Sequence, residues 1–354
     1  MSDLHSRPLA GGRSTAGGDG AGDLLATYDV GDGVRVNVRT DHEPLLSYLD
    51  GRYTRVAGPA EGWTVVGRLA EPVSGMRVNR WRVGYRAEPA RRVLTAHTPK
   101  SENLLPAIEI AVREALIAYW ETRGFTMLHA AAVHKNDLLV ILVGGMRAGK
   151  TTLMLQAVLE HGFELVANDH LVLYRDGKGL KVTDLPTVVS VRIATYLDME
   201  HLLPEPSDRN GVDIEAWRRR SESERIAADD GQVVYYTLAS LSQRLSTAVR
   251  CGDDSATRIV VVFPTFADPD SPAGSPIRLD DGAQRLAPHI RLGWMYDPHR
   301  NQHELPRPVR SRHRFTADGG RLIGELTRQG TALSWTHTGD IGPLLEALIA
   351  RGLA

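Results

Sequence analysis

With 354 residues, 42 Lys and Arg against 43 Asp and Glu, and a formal net charge of −1, the chain is long enough to bury a full core and has no basic excess that would draw it to nucleic acid or an anionic membrane. Its single cysteine, Cys251, excludes a disulfide framework, a cysteine-based zinc cluster and a thiol pair, and suits a reducing, cytoplasmic setting. No apolar run approaches bilayer length and the N-terminus has no apolar h-region, so neither a membrane span nor a secretory signal is expected.

In chain order, Met1 to Gly22 is rich in Gly, Ser and Ala and too poor in large apolar groups to offset the entropy of ordering, which predicts a disordered tail. Residues 23–100 alternate apolar and polar positions in four runs, Val34 to Val38, Trp63 to Leu69, Met76 to Tyr85 and Arg92 to Thr98, with glycine and proline between them. Period-two alternation places one face of each run in a core and predicts a small, mostly-β N-terminal domain whose arginines line the solvent face. The remainder, 101–354, reads as one α/β domain. Ser101 to Phe125 has apolar residues at helical spacing (Leu105, Ile108, Val112, Leu116, Tyr119), with Ser101 as cap, Pro106 early enough to be tolerated and Gly124 as the stop. Met127 to Val133 is then expected to be a strand and Lys135-Asn136-Asp137 a hairpin turn.

Leu138 to Val143 reads LLVILV, a buried strand, and runs directly into Gly144-Gly145-Met146-Arg147-Ala148-Gly149-Lys150-Thr151-Thr152. This is the spacing G-x-x-x-x-G-K-T, the Walker A phosphate-binding loop. Glycine lets the backbone wind round an anion with its N–H groups inward, the lysine reaches the β- and γ-phosphates, and the threonine hydroxyl takes a magnesium ion. Thr152 to Glu160 is a good helix, whose N-terminus would point its partial positive charge at the phosphates. Residue frequencies make a chance match in a chain of this length roughly a one per cent event, so nucleotide binding by residues 144–152, with ATP and Mg2+, is the leading expectation.

After the helix, Gly162 is the stop and Phe163 to Ala167 a strand that leads into Asn168-Asp169, the position for a carboxylate facing magnesium or substrate. Leu171 to Tyr174 and Leu180 to Val182 form a hairpin around Asp176-Gly177, followed by a strand near Val188 to Arg192. Pro204 to Asp213 is a surface loop, Arg258 to Phe263 a buried strand ending before Pro264, Ala267 to Pro276 a linker-like loop, and Ile341 to Ile349 a closing helix. Among the later residues, His289, His299, His303 and His313 lack a compact ligand spacing and predict no metal site.

From Met127 to Arg192 the sequence resembles the HPr kinase family, P-loop serine kinases related to ATP-dependent phosphoenolpyruvate carboxykinase. The resemblance is carried by Leu128-His129 ahead of the loop, the loop itself, the helix ending at Gly162, and the Leu165 to Asp169 block. It implies a kinase core of that type, with His129 beside the phosphates, Lys150 as the phosphate lysine, Thr151 as a magnesium ligand and Asp169 as the general base. The family's first aspartate of the pair is Asn168 here, and its Glu-x-Arg segment is matched by Ser190-Val191-Arg192, which keeps the arginine and loses the carboxylate.

Read from the residues alone, Asp169 is either a base that takes the acceptor's proton, with a share in the metal site, or a turn cap. His129 is either a site residue or a satisfied core histidine, and Arg147 either reaches a phosphate or faces solvent. The expected activity is transfer of the γ-phosphoryl of ATP to a hydroxyl, with serine of a peptide or small protein as acceptor. A small-molecule hydroxyl kinase and a nucleotide-binding regulatory switch are the alternatives, and a homo-oligomer is compatible with each.

Overall fold

The computed structural model describes residues 24–353 apart from 80, 222–223, 226–230, 242–248, 252–256, 268–273 and 297–308. The N-terminal tail, most of the loop beginning at Ala267, and His299 and His303 lie outside the described residues. The chain is a mixed α/β protein that divides into two units after Tyr119, so most of the helix beginning at Ser101 belongs with the N-terminal unit.

That first unit is built on seven strands: β1 (Leu24–Asp29), β2 (Arg35–Thr40), β3 (Thr54–Val56), β4 (Thr64–Leu69), β5 (Arg77–Val78), β6 (Gly84–Glu88) and β7 (Val93–Thr98). They lie in the order β3-β1-β2-β4-β7-β6-β5, parallel across β2, β4 and β7 and antiparallel elsewhere. The single run expected from Met76 to Tyr85 is instead a hairpin, because the Asn79 side chain accepts from the backbone N–H groups of Trp81 and Val83 and turns the chain. A mostly-β domain was the sequence expectation, yet helices α1 (Glu43–Asp50) and α2 (Ser101–Glu121) are integral to it. They converge on β4 at Gly67, where an added Cβ would stand 2.9 Å from Leu45 and 3.1 Å from Ile108, so a side chain there would push on both helices. Ser101 does not cap α2; its hydroxyl pairs with His42 Nε2 at 2.9 Å.

Two layers of strand organise the second unit. One sheet runs β11-β9-β10-β17-β19-β18, made of β9 (Ala130–Lys135), β10 (Leu138–Val143), β11 (Glu164–Ala167), β17 (Arg258–Phe266), β18 (Ile277–Leu279) and β19 (Gly330–His337). Its centre, β10, β17 and β19, is parallel and its flanks are antiparallel. Leu138, Val140 and Leu142 of β10 share one face with Val260, Val262, Leu333 and Trp335, and helix α3 (Lys150–Leu159) and the helix Gly342–Ala350 close that face with Leu153, Leu155, Leu344 and Leu348.

The second sheet runs β16-β13-β12-β8, with β8 (Thr126–Leu128), β12 (Leu171–Arg175), β13 (Leu180–Asp184) and β16 (Val249–Cys251); β14 (Val189–Arg192) pairs with β15 (Val233–Tyr236). Met127 to Val133 is therefore not one strand. Residues 126–128 pair with β12 in the second sheet, residues 130–135 pair with β10 and β11 in the first, and His129 is the step between them. β17 also runs through Pro264 to Phe266 instead of stopping before it. The Pro264 carbonyl faces Gly144, where β10 has already become loop, so its missing N–H costs no ladder bond on that side. Among the described residues no helix is long and apolar enough to cross a membrane.

Candidate active site

His129, the loop residues 144–152 and Asp169 gather at the C-terminal ends of the parallel strands, where open α/β sheets present ligands. β10 ends at Val143, residues 144–149 form a loop, and α3 begins at Lys150 with Gly149 as its N-cap. Gly144 is required by closeness, since a Cβ there would lie 2.8 Å from that of Ala148. Gly149 is required twice over. Its φ is +78°, and a Cβ would stand 2.5 Å from the imidazole of His337. Met146 and Arg147 project from the loop tip, exposed, and Arg147 holds a left-handed φ of +67°. Thr151 and Thr152 lie in the first turn of α3, and the Thr152 hydroxyl meets that of Thr195 at 3.0 Å.

Lys150 is 8% exposed and folds back over its own loop, donating to the carbonyls of Gly144 and Gly145, both at 3.0 Å. Burial lowers the pKa of its ammonium, attraction to Asp169 opposes that, and Arg291 adds to the lowering. The three charges therefore belong to one site. An anion in the loop would give the ammonium a stronger partner than two carbonyls.

Asp169 follows β11 in a left-handed conformation, φ +64°, a region Asp tolerates better than most residues. Its Oδ1 accepts from His129 Nε2 at 3.2 Å. Burial alone would push this carboxyl up; the hydrogen bond from His129 and the charges of His129, His170 and Arg291 outweigh it and hold the group at about 2. His129 is thus no core histidine. It stands at the step between two sheets, its side chain 31% exposed, its backbone N–H donating to the carbonyl of His289 at 2.8 Å.

Three participants carried no local signal. Arg291 donates through Nε and Nη2 to the backbone carbonyl of Asp169, at 3.2 and 3.0 Å, and fixes the loop that presents the carboxylate. His289 lies close enough to His129 and Lys150 for both to depress its pKa, after burial. His337, fully buried at the end of β19, bonds the Ala148 carbonyl through Nε2 at 3.1 Å while Nδ1 accepts from the Gly339 N–H at 3.0 Å, which fixes the proton on Nε2. His337 reaches the loop because β19 pairs with β17 and β17 with β10, whereas His289 and Arg291 are brought in by the bridge between Ile290 and Leu128 and by the Arg291 N–H bond to the Met127 carbonyl.

Arg192 ends β14 and precedes the helix Ile193–Met199, which carries Thr195 to Thr152, so the Ser190-Val191-Arg192 segment borders the first turn of α3. Among the described residues no group of three or more His, Cys, Asp or Glu could hold a metal ion. Were magnesium to arrive with phosphates, which leaves one or two ligands for the protein, the Thr151 hydroxyl and the Asp169 carboxylate could supply them. Asn168, 1% exposed and next to Asp169, has neither amide atom paired. No protein-family model matches the chain, and no curated protein matches it.

Proposed function

We propose that the protein is an ATP-dependent kinase with a core of the HPr kinase type, transferring the γ-phosphoryl group to a hydroxyl, with serine of a peptide or small protein as the expected acceptor. One observation carries this reading: the glycine loop and buried Lys150 at the start of α3 share a site with the ionised Asp169, whose carboxylate is aligned by His129 and whose backbone is held by Arg291. Anion-binding groups and a proton acceptor are the two requirements of phosphoryl transfer to an alcohol.

In this reading the backbone N–H groups of residues 144–149 and the N-terminus of α3 hold the β- and γ-phosphates, and Lys150 swings from the Gly144 and Gly145 carbonyls to a phosphate oxygen. Thr151 and Asp169 would hold magnesium, which would supply neutralising charge at the phosphate oxygens. The acceptor oxygen forms a bond to the γ-phosphorus as the bond to the β,γ-bridging oxygen breaks, the electron pair leaves with ADP, and the hydroxyl proton passes to Asp169. Arg291 and His129 keep that carboxylate in place throughout.

A second reading is a nucleotide-binding switch without transfer. It is favoured by the amide at Asn168 and the absence of a carboxylate at Ser190. Radiolabelled ATP incubated with peptide and small-protein acceptors decides between them. Transfer that is lost in Lys150→Ala supports the kinase, whereas Lys150-dependent binding with no transfer to any acceptor supports the switch. Undiminished ATP affinity in Lys150→Ala, measured by calorimetry, rejects both.

A further inference from the structure

β17 outlasts its neighbour. Val262 is its last residue paired with β10, but the strand continues through Pro264 to Phe266 alongside β19. Phe266 is paired with His337, so both side chains stand on the same face of the sheet, their rings edge to face at 82° with centroids 5.2 Å apart. His337 in turn presses on Gly149 of the glycine loop and stacks at 28° on Trp335, a member of the buried core. These three aromatic rings make a column that leads from the core, past the loop, to solvent. Phe266 is its outer end and is 53% exposed.

A lone exposed apolar side chain needs no explanation, but this one is anchored to the ring that shapes the loop. We propose that Phe266 is the stacking platform for the base of a nucleotide whose phosphates occupy residues 144–149. The inference rests on reading that loop as the phosphate site and adds the base subsite, which no part of the glycine loop supplies. The ligand class follows from the chemistry. A planar π-surface set nearly perpendicular to a buried imidazole and half exposed to solvent can stack on another planar ring, and since every base has a π-face, the platform favours nucleotides over bare polyphosphate without strong choice among bases.

The experiment is calorimetric titration of the full chain with Mg-ATP, Mg-GTP and inorganic tripolyphosphate, in wild type, Phe266→Ala, Phe266→Trp and Lys150→Ala. Phe266→Ala should weaken ATP and GTP about 5- to 100-fold, the usual worth of one base–aromatic stack, and leave tripolyphosphate affinity within twofold. Phe266→Trp should retain nucleotide affinity. Because Phe266 is half exposed, the melting temperature of Phe266→Ala should match wild type, which separates a lost stack from a lost fold. Equal weakening of all three ligands would mean that Phe266 only braces His337 and the loop, and would overturn the platform. So would unchanged ATP affinity accompanied by weaker acceptor binding. A wild-type chain that binds neither nucleotide nor tripolyphosphate overturns the phosphate-site reading and the platform together, while Lys150-dependent binding of both with no effect of Phe266→Ala overturns the platform alone.

Discussion

Asp169 sits under two opposing forces, and their balance can be measured. Burial favours its neutral acid; the hydrogen bond from His129 and the positive charges around it favour the carboxylate and prevail. A folded-state pKa held below the unfolded value means that this carboxylate stabilises the fold at neutral pH and that the contribution is lost only as pH falls through the depressed value. For catalysis the same shift keeps the base ionised across the physiological range, at the cost of a weaker pull on the acceptor proton. His129→Ala removes the hydrogen bond and leaves only His170 and Arg291 to oppose burial, so it should move the acid limb of the kcat/KM profile to higher pH; an unmoved limb would show that His129 does not tune Asp169. Asp169→Asn should keep ATP binding while transfer falls about 10²–10⁴-fold, the range expected when a general base is lost. Comparable losses in binding and transfer would make Asp169 chiefly a metal ligand. The sequence marks Lys150, Thr151 and Asp169 as candidates because each stands at a fixed place in a local pattern, the glycine loop or the end of the strand after its helix. It hides Arg291, His289 and His337, whose roles depend on partners more than 100 residues away.

At the scale of elements, the loop between β10 and α3 is held in shape from outside as well as by its own glycines. The neutral imidazole of His337 fills the space a side chain at residue 149 would need, and bonds the Ala148 carbonyl. Gly149→Ala therefore meets two penalties: a left-handed backbone, worth about 1–2 kcal/mol against an L-residue, and a Cβ driven into the ring. ATP affinity should drop at least about tenfold, with a lower melting temperature. Adding His337→Ala to this change should recover part of the affinity, because it relieves the clash but not the backbone strain. Failure of the double variant to recover anything would assign the whole loss to φ. Strand placement followed hydrophobic pattern closely where a strand stays in one sheet, as at Leu138 to Val143. It failed at Met127 to Val133, where the apolar run is continuous but the chain changes sheets at His129, since buried strands of either sheet read alike.

At the scale of the whole molecule, the residues of the candidate site lie in the unit that begins at Trp120, and the first unit has a polar core device of its own. Glu109 on α2, its side chain 10% exposed, accepts from the Tyr48 hydroxyl at 2.5 Å and pairs with Arg52 at 3.3 Å and Arg113 at 3.7 Å, while the Arg52 guanidinium lies 3.6 Å above the Tyr48 ring. Expecting arginines on the solvent face, as period-two strands suggest, misses this cluster because its charges come from α2 and from Arg52 in the turn after α1. Burial and then the Glu109 charge push the Tyr48 phenol well above its ordinary range, so the tyrosine is a donor at any working pH and the carboxylate takes its bond. Removing the carboxylate takes from Arg52 and Arg113 the anion they share, and breaking a buried ion pair from one side costs about 3–5 kcal/mol. Glu109→Ala should therefore raise hydrogen exchange across α1, α2 and β4 and shift the denaturant midpoint downward without changing m. Glu109→Gln should recover the bond from Tyr48 but not the charge balance, and fall between. ATP affinity, measured by calorimetry where the variant remains folded, should equal that of wild type, because Lys150, Asp169 and the loop all lie in the other unit. If the affinity falls in step with the stability of the first unit, that unit takes part in nucleotide binding, and the assignment of the chemistry to residues 120–354 alone is wrong.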